Sequence, residues 1–359
     1  MAKKKIKPVY CDYDKVRKYD ANINIIFGGR DNGKSYGAKK LALEDFMTTG
    51  GQFAYIRRWD KEIPASKARL WAADTPVDEI TNGAFNLIDC GKGYFELSMY
   101  NFETERKSNR QVCGYYFALN DATHYASTQY PNIRTIILEE FIPINGVYLA
   151  NEMEVYHHVL STIARGRPDV KVYMIANSIS RQSPYWEEYG IAQLIRDIDV
   201  GQFRTVERET TNGKQKILVH YAKPNPAANA SNLFAGHRAT MTVEGKWLAD
   251  PHPRIDDLDT WTPVYTFYVE YMEARFVCRY MVRGSEFTIY VEPFTGKHKK
   301  TDRIVSDRFS FNPFESRGFE PVNDTEAAVF NLIPARCCYS DDLTGTEFEE
   351  IFENFQISY

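Results

Sequence analysis

The segment Gly28-Gly29-Arg30-Asp31-Asn32-Gly33-Lys34-Ser35 constrains this chain more than any other, because it fits G-x-x-x-x-G-K-[ST] in the setting that pattern requires. An apolar run, Ile23 to Phe27, precedes it as a strand. Ala38, Leu41, Ala42 and Phe46 follow at helical spacing until Gly50-Gly51 stops the helix. The glycines let backbone N–H groups approach phosphates, Lys34 is placed to reach the β and γ oxygens, and Ser35 to ligate Mg²⁺ at a helix N-terminus that already favours anions. The expectation is an ATP and Mg²⁺ site cradled by residues 28–35.

Hydrolysis needs a metal held and a water aligned as well as a cradle. Thr135-Ile-Ile-Leu-Glu-Glu140 supplies both: a β-branched, apolar run describes a buried strand, and its two terminal acids emerge at the sheet edge where ligands of open α/β folds bind. Glu139 is expected on the Mg²⁺ side and Glu140 as the acid that polarises water. Arg165-Gly-Arg167 follows a helix of about 152–164. Either arginine is a candidate for neutralising the transferred phosphoryl group, in its own subunit or in a neighbour's, although two loop arginines taken alone are more often surface residues. Asn177, at the end of the strand 170–176, is a candidate sensor of the γ-phosphate or the attacking water. Arg30 is placed either to contact Glu140 or to be solvated.

Strands alternating with helices through the first half predict a P-loop core with a mainly parallel sheet flanked by helices. Within it, 85–88, 94–100 and 111–119 read as an antiparallel stretch, and 203–209 with 216–221 as a hairpin around Asn212-Gly213. The domain expectation is a nucleotide-binding domain over 1–250 with a hairpin or lid region at about 190–250, a proline-rich linker at 251–263, and a smaller α+β domain over 264–359. The latter holds three close strands in 264–291 and helices near 325–332 and 347–355.

A net charge of −4 argues against a chain coated in nucleic acid, so any DNA contact is expected to be local, at clusters such as Lys3–Lys7, Arg57-Arg58 or Lys297–Arg303; a solvated turn is the leading reading of the last. No run approaches the roughly 18 apolar residues of a membrane span, and the opening residues lack the apolar core of a signal peptide, so a cytoplasmic protein without membrane contact is expected. The six cysteines are scattered, with no CxxC pair and no histidines at metal-ligand spacing.

These features, in their order, resemble the genome-packaging (encapsidation) ATPases of small podophages of the phi-29 type. The resemblance is carried over residues 20–190 by GGRDNGKS, by FAYIRR (53–58), by Tyr130-Pro-Asn132 leading into TIILEEF, by the helix ending in Arg165-x-Arg167, and by Ala176-Asn177-Ser178. It implies a homo-oligomeric ring motor, a pentamer in the family, of the P-loop class with an added strand and a catalytic glutamate. Such a motor docks on the portal of a procapsid in the host cytoplasm, translocates double-stranded DNA, and leaves the part of a structural RNA open. By motif, Glu140 is then the catalytic acid, Arg165 the finger reaching a neighbour's nucleotide with Arg167 as alternative, and Lys61 a DNA-gripping residue. Glu139 departs from the family's Asp. The C-terminal third resembles the family only weakly; the corresponding domain of the family looks like a degenerate RNase H-type nuclease. Here Glu270, Glu273 and Glu292 lie in or near the predicted strands while the first strand carries no Asp, which favours a docking domain over a working nuclease. Two rival readings stay open, a P-loop kinase and a nucleotide-gated scaffold without turnover.

Overall fold

The computed structural model describes residues 9–101, 106–125, 128–143, 147–177, 183–210, 213–225, 252–272 and 274–357, in two compact units, 1–246 and 247–359. Lys3–Lys7, Ser178, Asn212, the Ala- and Asn-rich stretch 226–251 and Glu273 lie outside the described residues.

The first unit is built on nine strands. They are β1 (Ile23–Gly28), β2 (Gln52–Arg57), β3 (Phe85–Asp89), β4 (Tyr94–Asn101), β5 (Arg106–Ala118), β6 (Ile133–Glu139), β7 (Lys171–Ala176), β8 (Phe203–Thr210) and β9 (Gly213–Ala222), in the order β3-β4-β5-β2-β6-β7-β1-β9-β8. Every neighbouring pair from β5 across to β9 is parallel, while β3, β4 and β8 are antiparallel additions at the two edges. Strands covered on both faces read as unbroken apolar runs, and INIIFG of β1 is buried at all six positions. The antiparallel stretch is thus an extension of the main sheet through β5. The hairpin of 203–222 likewise lies in the sheet, with β9 paired to β1 from Ile23↔Ile217 to Gly28↔Ala222.

Helices α1 (Tyr13–Lys18), α2 (Lys34–Thr49), α3 (Ala65–Ala73), α4 (Val77–Thr81), α5 (Glu152–Ala164), α6 (Pro184–Glu188) and α7 (Ala192–Asp197) occupy the connections. Helix α2 ends where its sequence predicts. Gly50 takes the left-handed conformation and returns its N–H to the Phe46 carbonyl.

The second unit is a six-stranded sheet. A meander of β10 (Thr262–Tyr271), β11 (Ala274–Arg283) and β12 (Glu286–Pro293) is flanked by β13 (Ile304–Ser306), β14 (Glu315–Arg317) and β15 (Cys337–Tyr339), in the order β14-β13-β10-β11-β12-β15. Helices α8 (Asp324–Arg336) and α9 (Asp342–Ile357) complete a core that includes Phe267, Phe276, Phe330, Phe348 and Ile351. Glu270 is engaged by Arg275 and His298, and Glu292 by Arg279. Of the basic run 297–303, Arg303 departs from the solvated-turn reading. It is buried, bonded to Glu326, and donates to the carbonyls of Ile304 and Glu320, so it organises the unit's interior.

Candidate functional site

The glycine loop bridges β1 and α2 at the carboxyl end of the sheet. Gly28 has φ +134°, and a Cβ there would lie 2.6 Å from the Ala222 carbonyl oxygen of β9, so only glycine fits at the strand's end. Gly33 is left-handed and starts α2, whose N-terminus carries no side-chain cap and no acid in its first turn. Its uncompensated N–H groups and positive dipole end are therefore available to an anion.

The Lys34 side chain is buried and folds back on its own loop. Its Nζ donates to the carbonyls of Gly28 (3.0 Å) and Gly29 (2.5 Å) and to Asn32 Oδ1 (2.9 Å). Burial pushes its pKa down to about 8, against the opposing pull of Cys11, Glu140 and Asp31. Asn32 is itself fixed by donating to the Lys223 carbonyl beyond β9. A desolvated ammonium satisfied mainly by dipoles, beside an uncapped helix start, fits a polyphosphate. Ser35 is half-buried; Arg30 and Asp31 are exposed.

A segment before β1 closes one side of this loop. Cys11 N–H donates to the Asn32 carbonyl (2.7 Å), and Tyr13 Oη donates to the Lys34 carbonyl (2.7 Å). The Tyr13 ring fills the space a Cβ of Gly37 would occupy. Beside the loop opens a cavity of about 770 Å³ whose lining includes Tyr10, Arg17, Gly33, Tyr36, Lys40 and Glu79. Sequence reasoning missed this segment, because nothing in Tyr-Cys-Asp-Tyr marks a partner some 20 residues away in the chain.

The acids of β6 emerge next to the loop. Glu140 takes a left-handed backbone, φ +57°, which costs a non-glycine residue about 1–3 kcal/mol. The turn swings its carboxylate toward β7, where Asn177 Nδ2 donates to Glu140 Oε1 at 2.8 Å. Of the two placements open to Arg30, the exposed one is seen, and the contact to Glu140 comes from Asn177 instead. Glu139 is drawn toward β2: Tyr55 Oη donates to it at 2.7 Å and Arg57 lies 3.5 Å away. Among the described residues no three His, Cys, Asp or Glu side chains converge on a metal position. A nucleotide-bound Mg²⁺ takes only one or two carboxylates from the protein, so it does not require such a cluster.

A family model, podovirus DNA encapsidation protein (Gp16), matches residues 5–210, more than half of the chain. The chain belongs to that family. Similar encapsidation relatives include the DNA packaging protein of Bacillus phage B103, 29% identical over 244 residues that cover 62% of this chain and 69% of the relative. The DNA packaging protein of Bacillus phage phi29 is 26% identical over 182 residues, 50% of each chain, so the match spans about half the length of that curated relative. The bacteriophage phi-29 viral genome packaging motor assembly contains a chain of the same fold, with TM-score 0.61 at 18% identity, 97% of this chain and 99% of that one being covered. The Phi-28 gp11 DNA packaging motor gives 0.53 at 16% identity, with 98% of each chain covered.

The two arginines that the encapsidation pattern singles out lie at the other end of the sheet. Helix α5 runs back from the carboxyl edge, and its thirteen residues span roughly 20 Å. Arg167 donates to the carbonyls of Ile163, Ala164, Tyr130 and Pro131, so it caps α5 and pins the approach to β6. Arg165, left-handed at the helix end, makes one long bond to the Thr128 carbonyl (3.2 Å) and is exposed. Among the described residues, neither arginine bonds to the glycine loop of its own chain. Lys61 is exposed in a single turn, 60–62, anchored by Asp60 and Asn120.

Proposed function

We propose that this chain hydrolyses ATP and uses the hydrolysis to drive double-stranded DNA into a phage procapsid. The observation that carries the reading is the juxtaposition of buried Lys34, at an uncapped helix start, with Glu140, whose carboxylate is oriented by Asn177.

In this reading the loop amides and Lys34 take the phosphates, Lys34 exchanging the Gly28 and Gly29 carbonyls for phosphate oxygens. The nucleoside occupies the adjoining cavity, within reach of the Tyr10 and Tyr36 rings. Ser35 and Glu139 would hold Mg²⁺, which would neutralise phosphate charge there, once Glu139 turns from Tyr55 and Arg57. Glu140 accepts a proton from the attacking water while Asn177 keeps its carboxylate in line.

Arg165, exposed and remote from its own loop, serves a neighbouring subunit's nucleotide in a ring, a pentamer by family likeness, with Arg167 holding the loop that presents it. Lys61 contacts DNA. The second unit docks on the portal, or on a structural RNA, at the procapsid vertex in the host cytoplasm. Water-activating placement of Glu140 favours this over a kinase, and an acid poised for chemistry favours it over a passive scaffold.

The test is phosphate release from ATP with and without double-stranded DNA. Release that DNA accelerates supports the motor. Nucleotide binding without release supports the scaffold, and phosphoryl transfer to an added hydroxyl acceptor supports the kinase.

A further inference from the structure

We propose that Arg58 is the positioning residue for Glu140, the buried guanidinium that holds its left-handed backbone so that the carboxylate meets Asn177. The proposal rests on reading Glu140 as the water-activating acid. Strand register sets up the contact: Ile56 of β2 lies opposite Leu138 of β6, so two residues further on Arg58 runs beside Glu140. At that point β6 breaks from the sheet. The N–H groups of Glu140 and Phe141 both turn to the Ile175 carbonyl of β7, leaving the carbonyls of 140 and 141 facing the other way.

Arg58 answers both, Nη1 donating to the Glu140 carbonyl (3.0 Å) and Nη2 to the Phe141 carbonyl (2.6 Å). Its remaining donors meet Glu152, Nε to Oε2 at 2.8 Å and Nη2 to Oε1 at 2.8 Å. Glu152 opens α5 and also accepts from Tyr185 Oη and Leu149 N–H, each at 2.8 Å, while the Tyr148 ring lies against the guanidinium. Arg58 and Glu152 are each 3% exposed.

A buried ion pair is a poor route to stability, since apolar side chains of similar volume commonly do as well. What apolar side chains cannot do is donate to two consecutive carbonyls. A lysine has the charge but lacks the rigid planar fork. The network is therefore best explained by the turn it fixes.

The experiment compares wild type, Arg58→Lys, Glu140→Gln and the double variant, reading thermal melting, affinity for a fluorescent ATP analogue, and single-turnover hydrolysis. Arg58→Lys is expected to melt below wild type, having lost donors to buried carbonyls, but, at temperatures where it is fully folded, to bind the analogue unchanged and hydrolyse roughly a hundredfold more slowly, the scale of an ångström-size misplacement. In the Glu140→Gln background it should cost nothing further, because Arg58 acts through that carboxylate. Should Arg58→Lys not fold, Glu152→Gln, which keeps the shape and a neutral acceptor, is expected to give the same split. Wild-type turnover in whichever of these variants folds, or an equal fractional loss in both backgrounds, overturns the proposal. Wild-type turnover in Glu140→Gln alone instead overturns the reading of Glu140.

Discussion

At the residue scale, two positions carry predictions that do not depend on any ligand. Gly28→Ala places a methyl group against the Ala222 carbonyl at φ +134°; strain and overpacking together predict a loss of about 2–5 kcal/mol in urea unfolding. An unchanged midpoint would contradict the packing of β9 on the loop. His220 sits in β9 between the Gln202 carbonyl and the Phe203 ring, and burial lowers its pKa from 6.5 to about 4, with Lys15 and Lys34 adding to the effect. The folded value lies below the unfolded one, so folding excludes a proton. The associated stability is present in full above about pH 6.5 and is lost as pH falls toward 4, by about 3 kcal/mol. Stability measured across that window should fall in wild type and flatten in His220→Gln; parallel curves would refute the assignment.

At the scale of elements, α5 links two parts of the proposed site. Its first residue, Glu152, belongs to the network around Glu140, and Arg165 and Arg167 lie just past its C-terminal end. Arg167→Ala removes donors to four carbonyls and is predicted to lower stability by about 1–3 kcal/mol, whereas Arg165→Ala should melt as wild type. Mixing Arg165→Ala with Lys34→Ala chains should restore hydrolysis that neither has alone, because one keeps intact loops and the other supplies arginines. No rescue at any ratio would exclude action between subunits.

Much at this scale was legible in the sequence. INIIFG and TIILE are mostly apolar runs because parallel strands are covered on both faces, and Gly50 stops α2 for a backbone reason that single residues reveal. The short helices α3, α4, α6 and α7 left little signal, since five to nine residues hold too few turns to show a period. The role of Arg58 was hidden for a different reason. Its pairing with Glu152 spans 94 residues, and only the register of β2 on β6 brings the two together.

At the scale of the whole chain, the two units have separate cores, one around β1, β2 and α2, the other around β10–β12, α8 and α9. The second unit, with its own sheet, helices and the buried Arg303–Glu326 pair, is expected to fold when residues 247–359 are expressed alone, giving a cooperative melt; a chain without a melting transition would contradict this. The first unit carries the proposed engine, in which Glu140 activates water for a nucleotide held by the loop of Lys34. The most direct measurement sets ATP binding beside ATP hydrolysis, with double-stranded DNA present, for wild type and Glu140→Gln. Retained binding with hydrolysis reduced by about a hundredfold or more is the predicted result. Hydrolysis at the wild-type rate in Glu140→Gln would contradict it.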